Sequence, residues 1–151
     1  TKLLLCPGAS QVYYGDESAR GLIIEGTQGD ATLRSFMNWE EIETNPETQA
    51  ILNHWQKLGT FRRNHPSIGA GQHLMISESP YVFERTYTSE TFKDAVVIGL
   101  DLKKGAKTIS VAKIFEEGAT IKDAYSNTTA TVKNGSVDLD TPFTIVLLEN
   151  L

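Results

Sequence analysis

The chain has a single cysteine, Cys6, so an internal disulfide is excluded and the compartment is left open. Basic charge is also scarce. There are 14 Lys and Arg against 19 Asp and Glu, a formal net charge of −5, and the one tight basic cluster is Arg62-Arg63. A phosphate-tracking surface needs a basic stripe, so no nucleic-acid partner is expected. No window approaches the ~20 consecutive apolar residues of a membrane span. The three histidines, His54, His65 and His73, lack metal-ligand spacing and have no cysteine partner, so no metal site is expected and no cofactor is implied. Internal repeats and low-complexity stretches are missing too. At 151 residues the chain is too short for a whole eight-stranded α/β barrel, which needs roughly 250 residues.

What is present is ordinary globular composition, 40% apolar and 22% charged, enough for one domain or one domain with an appendage. The chain opens on an apolar run, Lys2-Leu3-Leu4-Leu5-Cys6, followed at once by Pro7-Gly8. Residues 1–6 read as the tail of a helix that starts further upstream, and the chain is expected to be a fragment. Gln11-Val12-Tyr13-Tyr14, set between Pro7-Gly8 and Gly15-Asp16, reads as a buried strand over about residues 10–14. Residues 15–44 show no sustained period and read as a long loop, of the kind that is usually functional or disordered.

Asn45-Pro46-Glu47 is a helix start: a capping side chain, proline at the first helical position, then an acid at the positive end of the dipole. Ile51, Leu52, Trp55 and Leu58 share one face, and Arg62-Arg63 and Pro66 mark the end, so the helix is placed at about 46–63. Ser67-Ile68-Gly69-Ala70-Gly71 reads as a flexible connection. Beyond it lie short apolar or alternating runs at 73–76, 81–87, 95–102, 108–114, 120–123, 129–132, 137–139 and 143–148. Their spacing and turns, Asn134-Gly135 above all, predict an antiparallel sandwich or barrel over residues 71–151. Residues 1–70 form the other part.

Chemistry-bearing residues are sparse. Cys6 has no activating neighbour in sequence and reads as a buried structural thiol. Asp16 and Glu17 are adjacent carboxylates, but neighbours on an extended chain point to opposite faces, so they suit the shaping of a cleft better than paired catalysis. Asn127-Thr128-Thr129 and Asn134-Gly135-Ser136 fit the glycosylation pattern and read equally well as turns. Tyr13, Tyr14 and Trp39 are candidates for stacking on sugars; Trp55, on the apolar helix face, reads as core.

Gly8-Ala9-Ser10-Gln11-Val12-Tyr13-Tyr14-Gly15-Asp16-Glu17 resembles the eighth-strand motif of the α-amylase family of glycoside hydrolases, approximately G-x-P-x-x-x-x-G-x-E. Gly8, Gly15 and Glu17 match, and Ser10 stands where proline is usual. Arg34-Ser35-Phe36-Met37-Asn38-Trp39 is similar to the R-x-P-M-x-W segment of the following loop, with Phe36 in place of proline. Phe61-Arg62-Arg63-Asn64-His65-Pro66 resembles the end of the last barrel helix, L-R-R-x-H-P, and the β-rich remainder resembles the trailing sandwich domain.

The resemblance implies an α+β fragment: last strand, long loop and last helix of a (β/α)8 barrel in residues 1–70, then an all-β antiparallel sandwich in 71–151. Family members use an Asp nucleophile, a Glu acid and a second Asp, on strands that precede this motif. No residue here inherits a catalytic role, and the chain alone is expected to be inactive. Gly15, Asp16, Glu17, Arg34 and Trp39 are expected to shape the substrate cleft. The implied ligand is an α-glucan such as starch. The implied partner is the upstream catalytic portion or a second copy. A starch-degrading parent suits an extracellular or periplasmic setting, and calcium in the parent is left open. The alternatives are a non-enzymatic carbohydrate-binding module and a structural β-sandwich without a sugar role. Tyr13, Tyr14, Trp55 and Leu58 are expected to dock on the chain's own β part, on another copy or on the upstream portion.

Overall fold

The computed structural model of the chain describes residues 1–21, 23–111 and 114–151. Helices come first: α1 (Lys2–Leu5), α2 (Trp39–Thr44), α3 (Pro46–Asn64) and α4 (Pro66–Ala70), with 3-10 turns at Asp16–Ser18 and Gly29–Leu33. Eight strands follow among the described residues: β1 (Gln72–Ser77), β2 (Tyr81–Thr88), β3 (Lys93–Leu100), β4 (Gly105–Ser110), β5 (Thr120–Asp123), β6 (Thr128–Thr131), β7 (Ser136–Thr141) and β8 (Val146–Asn150). The fold is α+β, dominated by antiparallel sheet. The β4 expectation over 108–114 is met in part; residues 112 and 113 lie outside the described residues, as does residue 22 of the long loop.

The strands form a six-stranded sheet in the order β1-β2-β3-β8-β5-β6 and a two-stranded sheet, β4-β7. Side chains alternate across the larger sheet. Val82, Val97, Val146 and Leu148 face the small sheet and pack with Ile109, Val137 and Leu139. Phe83, Ile98 and Leu147 form one rung across three strands on the opposite face. There they meet Leu4, Leu5, Leu58, Phe61 and Ile68 of the helices. The molecule therefore has three layers: helices, large sheet, small sheet. Burial on both faces explains the unbroken apolar run in β3.

Asn45 caps α3 as expected, its Oδ1 accepting from Glu47 N at 2.9 Å and Thr48 N at 3.5 Å. Asn134 and Gly135 take φ of 51° and 69°, the left-handed pair that a two-residue hairpin demands. Lys133 and Ser136 exchange both backbone hydrogen bonds across that turn.

Three expectations are corrected. The strand over about residues 10–14 does not form: among the described residues these have no ladder partner, and Val12, Tyr13 and Tyr14 each remain 42% exposed. A run with strand propensity needs a neighbouring strand to satisfy its backbone groups, and no described strand lies beside it. The flexible connection at 67–71 is instead α4. Its carbonyl end is held by the fully buried Arg85, whose Nε donates to Ser67 O at 3.1 Å and whose Nη2 donates to Ile68 O and Gly71 O, each at 2.8 Å. Cys6 is exposed, not buried. Of the four residues expected to need docking, Leu58 is buried and Trp55 packs partly against the sheet, while the two tyrosines stay at the surface.

Candidate functional site

The five candidate residues lie on the connection between α1 and α3. Gly15 turns the chain with φ of 90°, and the 3-10 turn Asp16–Ser18 follows directly. Both acids are engaged locally: Asp16 Oδ2 accepts from Tyr13 N at 3.3 Å, and Glu17 Oε2 accepts from Gly15 N at 3.0 Å. Their carboxylates thus brace the turn.

Arg34 ends the second 3-10 turn and is exposed. Trp39 opens α2 and is 66% exposed, beside Phe36 at 98%. The structure brings the two motif segments together through their neighbours. Ser18 Oγ donates to Asn38 Oδ1 at 2.7 Å, and Asn38 Nδ2 donates to Ser18 O at 2.9 Å. Tyr13 and Tyr14 donate from their hydroxyls to Leu33 O at 3.3 Å and Ser35 O at 3.0 Å. Partial desolvation and the Tyr14 phenol push the Tyr13 phenol above its ordinary value, against the pull of Arg20 and Arg34.

Arg20 was not anticipated from sequence. It is 5% exposed and runs between the two segments, with its guanidinium carbon 4.1 Å from the Tyr14 ring centre. A lone arginine in a glycine-rich, aperiodic stretch carries no signal of burial, because arginine is seldom buried.

A separate cavity of about 430 Å³ lies between α1 and the sheet, lined by Lys2, Leu5, Cys6, His73, Tyr81 and Phe83 among others. None of the five candidate residues lines it. Among the described residues no cluster of three His, Cys, Asp or Glu side chains could hold a metal ion, and no helix is long and apolar enough to cross a membrane.

No protein-family model matches the chain. A stretch of 86 residues, 56% of the chain, is 42% identical to the periplasmic alpha-amylase of Escherichia coli (strain K12), of which it covers 12%. A crystal structure of an Anoxybacillus alpha-amylase matches 97% of this chain at 25% identity and a TM-score of 0.64, over 30% of its own length. The structure of AmyP in complex with maltose matches 98% of this chain with a TM-score of 0.68, over 32% of its length; at 16% identity that likeness is one of fold. The chain thus spans about a third or less of each of these relatives. In sequence over the 86-residue stretch, and in fold over nearly its whole length, it is related to α-amylases.

Proposed function

We propose that this chain is the C-terminal part of an α-amylase-like glycoside hydrolase acting on α-glucans such as starch. Residues 1–70 complete the catalytic barrel and residues 71–151 form the trailing β-sandwich. The observation that carries this reading is the 42% identity to an α-amylase, joined to a fold match along nearly the whole chain. The maltose bound by AmyP supports an oligosaccharide ligand for the parent.

Gly15, Asp16, Glu17, Arg34 and Trp39 form a rim of the glucan cleft. The acids hold the turn, and Trp39 offers an exposed aromatic face of the kind that stacks on sugar rings. The catalytic carboxylates belong to the upstream barrel strands. There, retention needs two carboxyl groups about 5–5.5 Å apart, one as nucleophile and one as acid and then base. The upstream portion is the partner that would cover Tyr13 and Tyr14.

The test is an amylose assay on two proteins. The 151-residue chain alone should release no reducing sugar. The polypeptide that carries it behind an upstream barrel should hydrolyse amylose and release the α-anomer first, read by NMR. Hydrolysis by the chain alone, or a parent inert on α-glucans, would overturn the proposal. A parent that binds amylose without cleaving it would favour the binding-module reading.

A further inference from the structure

The turn at 15–18 and the segment at 33–39 must keep a fixed relation if both are to meet one ligand. Arg20 spans the gap between them. Its Nε donates to Tyr14 O at 3.1 Å, beside the turn. Its Nη1 donates to Ser35 O at 3.0 Å and to Ser35 Oγ, and its Nη2 donates to Leu33 O at 3.1 Å, in the second segment. Gly15 is shaped to this side chain: its φ is 90°, and a Cβ there would lie 2.7 Å from Arg20 Cβ. All these oxygens are neutral, so Arg20 is a buried cation held by carbonyls, a hydroxyl and an aromatic face. That arrangement is costly as a way of gaining stability, and departures of this kind concentrate at functional sites.

From this geometry we infer that Arg20 is a positioning residue for glucan binding, setting Asp16 and Glu17 against Arg34 and Trp39. The inference rests on the cleft-rim reading above. Arg20 does not touch substrate; it acts through the two segments it ties. Lysine cannot replace it, because one ammonium group lacks the planar fork that reaches carbonyls on both sides at once.

The experiment is steady-state kinetics of the parent enzyme on amylose, with Arg20→Lys and Ser35→Ala variants. Arg20→Lys should raise KM about tenfold and leave kcat within about twofold, because the rim moves and the reacting groups do not. Ser35→Ala, which removes one acceptor and leaves the buried cation in place, should raise KM in the same direction by a smaller factor. A purely structural role would lower the thermal midpoint and leave the KM of the folded enzyme unchanged, and that result overturns the inference. If Arg20→Lys does not fold, Ser35→Ala decides the matter. An inactive wild-type parent is a separate outcome: it overturns the function reading itself, before any variant is compared.

Discussion

His65 faces a carboxylate from each ring nitrogen: Asp94 Oδ1 lies 2.8 Å from Nδ1, and Glu149 Oε2 lies 2.7 Å from Nε2. The residue sits where α3 hands over to α4, and its two acids sit on β3 and β8, so one side chain pins the helical layer to the large sheet. Burial opposes ionisation of Asp94, but hydrogen bonds from His65 and Ser67 outweigh it and hold the carboxyl below its ordinary value of 3.8. A depressed carboxyl contributes stability that is complete above the unfolded value and is lost as pH falls through the folded one. Asp94→Asn should therefore cost about 2 kcal/mol at neutral pH. Its deficit relative to wild type should shrink as pH drops below 3.8. Urea midpoints of both proteins between neutral pH and about pH 3 measure this; a deficit constant with pH would refute it. At this scale Gly15, Asp16 and Glu17 were singled out by the resemblance of one short contiguous segment, Gly8 to Glu17, to a known motif. Arg20 and the His65 bridge were not, since their partners lie up to 84 positions away and no local pattern encodes them.

Elements were legible where their signals are local. The helix expected at about 46–63 is observed at Pro46–Asn64, because cap, proline and terminal arginines all act within one turn. The antiparallel strands emerge near their expected places for the same reason: alternation and turns are short-range. The six-residue α2 and five-residue α4 were hidden, being too brief to display a 3.6-residue period. Residues 10–14 show the reverse failure, with strand propensity present and no strand to pair with. The cap carries a measurable expectation. Asn45→Ala leaves two N–H groups of α3 without their acceptor. It should cost about 1 kcal/mol and lower the thermal midpoint by about 2–4 °C. Differential scanning calorimetry reads it directly, and an unchanged midpoint would mean that water serves those groups equally well.

The organisation of the whole molecule depends on the large sheet being buried on both faces. Its rung of Phe83, Ile98 and Leu147 belongs to the helical side, while Val97, Val146 and Leu148 belong to the sandwich side. The chain can be divided near residue 70 by its pattern, but β3 and β8 contribute to both cores. Sequence alone could not reveal which sheet face the helices cover, since an apolar run buried on two sides reads the same whichever layer lies above it. The shared sheet implies that helices and sandwich unfold together. Leu58, fully buried against that rung, is the residue to test. Leu58→Ala should cost about 2–5 kcal/mol through lost burial and the cavity it leaves. If the three layers are one cooperative unit, hydrogen exchange should show the same loss of protection for the slowest amides of α3, β3 and β8. If α3 loosens while β3 and β8 keep their wild-type protection, the helical layer is a separate unit resting on the sandwich. The large sheet would then transmit nothing from one core to the other.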